Sequence, residues 1–377
     1  MRYVSLPNGI PDASVLGLGC AAMMGSAGRR ESLAALAAAS DAGINFFDTA
    51  RSYGYGASEG LLGEFFQSNA RRDQVVLCTK FGILPAEHSW KQTVKPLARG
   101  LLKLFPALRG AARKQAGQLS SANHFSVAVL RASLETSLRE LKTDYVDLLL
   151  MHAAPIAVLA QQDLLEELAR LVAEGKVRMA GISGELDVIA ATLEQRPPVL
   201  QTAQFACNLA NFGFLDRMGA PHLDSEMWVS ADRIPAEPGA PHLDSEMWVS
   251  AASVGSRPPT SSNPIFLVAN HPFGGAAGIA ESRRRIATLR DAPELPAELR
   301  AKLDPADPLL LPEVVLNAIL VGTGIGAVVP AMIQPHHLQS NCRAIADCRF
   351  TPAELAQIRR ALTSGSAEEP VEKAHRS

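Results

Sequence analysis

The chain contains no run of 18 uninterrupted apolar residues, so nothing in it is expected to span a membrane. Its first residues, MRYVSLPNGIPDASV, lack the apolar stretch of a secretory leader, and the expectation is a cytoplasmic protein. Cysteine is sparse and scattered. Cys20, Cys78, Cys207, Cys342 and Cys348 form an odd set with neither the spacing of a disulfide framework nor that of a zinc site. No sign of charge dominates: 36 basic residues stand against 38 acidic ones, and a net charge of −2 gives no global attraction to nucleic acid. A P-loop and a nucleophile elbow are also absent. What is present is a chain of 377 residues that is 47% apolar and 20% charged. That suffices for one large α/β barrel or two ordinary domains.

Short apolar runs alternate with helical patterns. Strands are predicted at 15–21, 44–50, 75–81, 145–153, 177–183, 199–205, 265–270 and 326–331. Between them the periodicity predicts helices over 29–42, from Ser58 (as a possible N-cap) to 67, from Ser126 through Leu141, and over 164–174. Further helices are expected around Val188–Leu193, over 312–321, from Pro335, and after Thr351 as N-cap. Strands separated by helices pair in parallel, and eight such units close into a single (β/α)₈ TIM barrel, with no second sheet signalled. Residues 1–350 are assigned to this barrel and 351–377 to a C-terminal helix and a frayed tail.

Two insertions interrupt the pattern. Residues 82–125 are too long for an ordinary loop. From His88 to His124 they hold seven bases and no acid, with Val94, Leu97, Leu101, Phe105 and Leu108 at helical spacing. The first expectation is an amphipathic insert lying on the barrel mouth; a weak membrane-surface contact through 90–115 and a lid over an anionic substrate are the alternatives. The segment GAPHLDSEMWVSA occurs unchanged at 219–231 and 239–251. A unit so short, present only twice, is no solenoid repeat. It predicts a recent duplication forming a poorly ordered surface excursion between strands six and seven.

Reactive groups of an α/β barrel sit where strands end at the C-terminal face. Strand two ends at Asp48, strand three at Lys80 and strand four at His152, and the loop RSYGYGASE carries Tyr53 and Tyr55. An acid, a base, an imidazole and a phenol therefore meet on one rim. Carbonyl reduction needs that set: hydride addition leaves an oxyanion that takes a proton, and a phenol near pKa ~10 donates more readily beside an ammonium. Asp48 would hold Lys80 charged, and His152 would orient the carbonyl oxygen. The plainer alternative is a buried Asp–Lys pair that ties two strands together.

These motifs resemble the aldo-keto reductase family. The likeness rests on GINFFDTARSYGYGASE (43–59), TKFG (79–82), TDYVDLLLMH (143–152), GISG (181–184) and VVPAMIQPHHLQSNCRAI (328–345), in order along most of the chain. It implies NAD(P)H-dependent reduction of an aldehyde or ketone with no metal, reversible to alcohol oxidation. It also implies an active site of Asp48, Tyr53, Lys80 and His152, with Tyr53 rather than Tyr55 as proton donor by its spacing from Asp48. The same resemblance puts Ser183 and Gln201 at the nicotinamide amide, with Gly184 where the family carries Asn. Asn270 stands where an aromatic often stacks on the nicotinamide. Phe273 and Gly274, within HPFGG, lie along the pyrophosphate; Asn341 is at the adenine. Gln334 and His337 occupy positions where family members offer a cation to the 2′-phosphate of NADP(H). A relaxed preference, with NAD(H) also accepted, is therefore expected.

Gly17, Gly19 and Ala22 also match the G-x-G-x-x-A dinucleotide fingerprint, but the glycines lie inside the strand rather than at its exit. Gly19 is expected among the cofactor-binding residues; the plainer alternative is close packing at the barrel bottom or the cofactor-side rim. His336 and His337, being adjacent on a helix, are expected to diverge rather than bind a metal. Two other functions fit the barrel: a cofactor-binding regulatory module with little turnover, and an aldolase or isomerase with Lys80 as Schiff-base former. The second needs a neutral Lys80, which a partnering Asp48 opposes.

Overall fold

The computed structural model describes residues 1–69, 71–85, 124–217, 228–229 and 265–364. Eleven strands are present among them: β1 (Tyr3–Val4), β2 (Ala13–Ser14), β3 (Leu18–Gly19), β4 (Phe46–Asp48), β5 (Val76–Phe81), β6 (Val146–Met151), β7 (Val177–Ser183), β8 (Leu200–Ala206), β9 (Trp228–Val229), β10 (Phe266–Asn270) and β11 (Ile325–Val329). The last six of the barrel strands and β3 and β4 form one sheet in the order β11-β10-β8-β7-β6-β5-β4-β3, and every pairing is parallel. Its two edges meet: the Gly17 amide donates to the Val328 carbonyl at 2.8 Å, and the Gly19 amide to the Pro330 carbonyl at 3.0 Å. The (β/α)₈ barrel is thereby closed, as the alternation of elements predicts.

Side-chain parity along these strands decides what fills the barrel and what lines its mouth. Phe46, Val76, Cys78, Leu148, Leu150, Met179, Val268, Ala327 and Val329 form the interior cluster. Phe47, Leu77, Leu149, Ala203, Phe205 and Val328 alternate with them and face the helices. The barrel glycines follow from crowding. A Cβ on Gly17 would lie 2.6 Å from Val329 Cγ1, and one on Gly19 3.1 Å from the Val329 carbonyl oxygen. Gly19 thus packs tightly between β4 and β11.

The helices around the barrel are α1 (Arg29–Asp41), α2 (Ser58–Ser68), α3 (Val127–Leu141), α4 (Gln162–Ala173), α5 (Leu186–Gln195), α6 (Phe212–Arg217), α7 (Gly275–Thr288), α8 (Ala297–Lys302), α9 (Leu310–Leu320), α10 (Pro335–Ala346) and α11 (Pro352–Ser364). Ser126 caps α3 as expected, its hydroxyl accepting from the Val129 amide at 3.3 Å. Thr351 and Glu354 form a reciprocal capping box on α11. Ser58 does not cap α2. It lies inside the helix, buried, with its hydroxyl 3.1 Å from that of Thr49.

A small second sheet, β2-β1-β9, corrects the expectation of a single sheet. The β1–β2 hairpin closes the barrel bottom by adding Val4, Ile10 and Ala13 to the interior cluster. Its strands are two residues long, too short for periodicity to reveal. Strand β9 comes from the first copy of the duplicated segment and pairs with β1 through Tyr3↔Val229 and Val4↔Trp228. The rest of the duplication, residues 86–123 of the basic insert with its 90–115 stretch, and the tail from 365 lie outside the described residues. The basic insert leaves and rejoins at one point, since the His124 amide donates to the Gly82 carbonyl at 2.9 Å. That point follows directly on β5, beside the strand end that carries Lys80. No helix among the described residues is long and apolar enough to cross a membrane.

Candidate active site

Parity delivers the reactive groups. Phe46 and Asp48, then Val76, Cys78 and Lys80, then Leu148, Leu150 and His152 are successive every-second positions on neighbouring strands. The polar residue is each time the last inward position, where the packed interior gives way to the mouth. Lys80 Nζ donates to Asp48 Oδ1 at 2.6 Å and to the Thr49 carbonyl at 2.9 Å, and it lies 3.5 Å from the Tyr53 hydroxyl. Both partners of the ion pair are almost fully buried. The Tyr53 ring meets the His152 imidazole edge-on, with centroids 5.7 Å apart.

Tyr53 is set by the turn that follows it. Gly54 has φ +59°, and a Cβ there would stand 2.5 Å from the Met23 carbonyl oxygen, so only glycine fits. The next residue, Tyr55, also has positive φ and is 46% exposed, which turns it away from the buried pair. Of the two phenols, the geometry brings Tyr53 to Lys80. Beneath the loop, buried Glu59 accepts from the Thr79 hydroxyl at 2.6 Å and forms an ion pair with Arg51. The loop's two ends are thereby tied to β5.

The electrostatics separate the roles. Burial would lower the Lys80 pKa, but the adjacent Asp48 carboxylate, helped by Tyr53, more than offsets this, and the group stands above its usual value. An ammonium held charged by a carboxylate is a poor Schiff-base nucleophile, which argues against the aldolase alternative. Burial also raises the Tyr53 pKa. The Lys80 charge pulls it down, but by less, so the phenol remains a protonated donor at neutral pH. His152 is pushed down to about 3, first by burial and then by the Lys80 charge. It is therefore neutral across the physiological range, and its Nδ1 is buried without a hydrogen-bond partner. Burial, and then the charge of Asp48, push both Cys20 and Cys78 upward, so neither neighbouring cysteine is a thiolate.

The residues assigned to a cofactor separate into groups. Ser183, at the end of β7, donates to Gln204 Oε1 at 3.2 Å, and Gln204 Nε2 donates to Asp48 Oδ1 at 3.1 Å. This continuous chain makes Gln204 the glutamine of the mouth. Gln201 is not there. It lies at the N-terminal end of β8, at the register shift against β7, and accepts from the Asn8 amide at 3.3 Å. Asn270 ends β10 with inward parity, its Oδ1 3.1 Å from His271 Nδ1. Phe273, Gly274, His337 and Asn341 line one cleft of about 400 Å³ between the β10 exit and the β11 exit. Gln334 is exposed at the N-cap of α10, outside that lining. The His336 and His337 rings do not diverge: their centroids are 4.1 Å apart, and both face the cleft. No cluster of three or more metal-ligating side chains occurs among the described residues.

The model of the aldo/keto reductase family matches residues 15–211, which hold β3 through β8 and all four groups of the cluster. The chain belongs to the aldo/keto reductase family. An aldo-keto reductase of Bacillus subtilis is 30% identical over 187 residues, 48% of this chain and 47% of that protein. The norsolorinic acid reductase of Emericella nidulans is 34% identical over 160 residues, 42% of this chain and 35% of that one. The chain thus spans half or less of the length of these curated relatives. Among solved structures, an aldo-keto reductase of Bacillus halodurans in its holo form superposes with a TM-score of 0.59 at 18% identity, covering 95% of this chain and 96% of that one. An aldo-keto reductase of Klebsiella pneumoniae, solved with NADPH, does so with a TM-score of 0.55 at 20% identity, covering 96% and 95%. These likenesses establish the shared barrel fold.

Proposed function

We propose that this aldo/keto reductase reduces an aldehyde or ketone of a small molecule to the alcohol, reversibly, with NADP(H) as cofactor. The observation that carries the reading is the buried Lys80–Asp48 pair with the Tyr53 hydroxyl 3.5 Å from Lys80 Nζ. The cofactor's fit is supported by two features of the cleft. Asn341 is 5% exposed, lines the cleft and has no side-chain hydrogen bond among the described residues, so it presents an unspent amide. Gly274 and Gly275 both have positive φ at the N-terminus of α7, where backbone amides suit a phosphate. Ser183 and Gln204 would hold the nicotinamide amide, and Phe273, Gly274, His337 and Asn341 the pyrophosphate and adenosine end. When bound, the cofactor supplies the hydride.

The chain's own residues do the rest. Neutral His152 donates a hydrogen bond to the carbonyl oxygen and orients it. Tyr53 gives its proton to that oxygen as negative charge develops, and the Lys80 ammonium stabilises the phenolate left behind. Asp48 keeps Lys80 charged and fixed. In the oxidative direction the phenolate takes the proton back. All five cysteines are free thiols, which supports a reducing compartment such as the cytoplasm. The test is oxidation of NADPH with a panel of aldehydes, ketones and sugars. Wild type and Tyr55→Phe turn over, and Tyr53→Phe loses about 10²–10⁴-fold in kcat. Equal losses in the two Tyr variants, or none in either, would refute the assignment.

A further inference from the structure

Lys80 and Tyr53 sit on different elements, one near the end of β5 and the other in the loop 49–57 that joins β4 to α2. Their polar atoms are 3.5 Å apart, at the outer limit of a hydrogen bond, so this contact alone does not fix the separation. The backbone tie beside it, from the Arg51 amide to the Lys80 carbonyl, is also long, at 3.4 Å. Side chains behind the loop supply the rest. The buried hydroxyls of Thr49 and Ser58 meet at 3.1 Å and close the loop at its base. Glu59, in the first turn of α2, is 1% exposed and divides its two oxygens between different elements. Oε1 accepts from the Thr79 hydroxyl on β5 at 2.6 Å, and Oε2 accepts from the Arg51 guanidinium on the loop. Thr79 directly precedes Lys80, and Arg51 stands two residues before Tyr53. One carboxylate thus fastens the strand of the amine to the loop of the phenol.

We propose that Glu59 is a positioning residue for proton transfer: by holding Arg51 to Thr79 it keeps the Tyr53 hydroxyl at Lys80 Nζ. The inference rests on the reading of Tyr53 as proton donor. Stability alone does not account for the arrangement. Burying an ion pair costs desolvation that a well-packed apolar pair of similar volume avoids. Side chains left only 1% and 11% exposed, as Glu59 and Arg51 are, meet that cost. What they give instead is direction. An apolar contact lets a loop slide. A carboxylate bonded through both oxygens, to a strand hydroxyl and to a planar guanidinium, restricts it to one placement. The N-terminal end of α2 favours an anion in its first turn, which is where Glu59 stands. The placement matters for rate, because an offset of about 1 Å at reacting groups can cost about 10²-fold. At 3.5 Å there is no slack: a loop that moves outward takes the hydroxyl out of reach of the ammonium that stabilises its phenolate.

The experiment makes Glu59→Gln in wild type and again in Tyr53→Phe, and measures NADPH oxidation with the best aldehyde of the panel. Glutamine keeps the volume and an acceptor for Thr79 but cannot pair with Arg51. In the wild-type background kcat falls about 10–100-fold while KM and the Kd of NADPH stay within about twofold. In Tyr53→Phe the residual turnover, read at high enzyme concentration, changes by less than about twofold, because no hydroxyl is left to position. A role confined to the fold or to cofactor binding would cut both backgrounds alike. Glu59→Gln/Arg51→Met removes both charges and leaves none unpaired, so it carries the test where the single variant does not fold. Near-ultraviolet circular dichroism verifies its packing, and its kcat should fall by the same factor. A kcat within about twofold of wild type in the folded variants overturns the proposal. So does a loss of equal size in the Tyr53→Phe background. If Tyr53→Phe is as active as wild type, or wild type reduces no carbonyl, the proton-donor reading fails and takes this inference with it, a result distinct from the other two.

Discussion

Replacing Asp48 by Asn removes one negative charge and little volume, and leaves the Lys80 ammonium in a site where it is 1% exposed. The buried amine then has two options: remain charged without a counterion, or lose its proton. The second sets the ceiling. A lysine with an unperturbed pKa near ~10.4 costs about 4.6 kcal/mol to deprotonate at pH 7, at 1.36 kcal/mol per unit. Breaking a buried pair from one side costs a similar 3–5 kcal/mol or so. The expected loss is thus about 4 kcal/mol at pH 7. Its pH dependence is diagnostic. In wild type the folded pKa of Lys80 is raised, so the pair's contribution is fully present below the unfolded value and is lost only as pH climbs through the folded one. In Asp48→Asn the folded pKa is depressed, the unfolded chain binds the extra proton, and stability rises with pH. The penalty should shrink by about 1.4 kcal/mol per unit between pH 7 and 10. Urea unfolding of both proteins at several pH values measures it, and all other titrations cancel in the difference. Asp48→Asn/Lys80→Met, with no buried ammonium, should recover much of the loss. A penalty below ~1 kcal/mol at pH 7, one that grows with pH, or a double variant no better than the single one would refute the reasoning.

Other consequences are simpler. Gly54→Ala forces a Cβ against the Met23 carbonyl at positive φ, and should cost about 1–3 kcal/mol in stability while lowering kcat more than it changes KM, read by thermal melts and kinetics. Gln204→Ala should weaken cofactor binding about tenfold through the lost amide contacts, whereas Gln201→Ala, at the far end of the barrel, stays within about twofold; equilibrium titration compares them. Ser126→Ala removes the cap of α3 and should cost about 1 kcal/mol in urea unfolding with activity unchanged.

Most of the barrel was legible because its strands are apolar runs and its helices begin at recognisable caps. Asp48, Lys80 and His152 stand out in the sequence because an α/β barrel places chemistry at strand ends, and the structure brings them together with Tyr53. Gln204 was not singled out although a signal existed: along β8 it alternates with the outward-facing Ala203 and Phe205 and is the polar residue nearest the exit. Gln201 stands at the strand's N-terminal end, away from the rim where an α/β barrel carries its chemistry. The bottom hairpin and β9 were invisible because two-residue strands are specified by their partners rather than by their own pattern.

The central claim, that this rim transfers hydride to a carbonyl with Tyr53 giving the proton, is tested most directly with NADPH deuterated at C4 and the best aldehyde of the panel. Wild type should place deuterium on the new carbinol carbon, as mass spectrometry of the product shows. Tyr53→Phe should bind the cofactor with unchanged affinity and transfer almost none. Deuterium transfer by Tyr53→Phe at the wild-type rate, or none by wild type to any carbonyl, would contradict it.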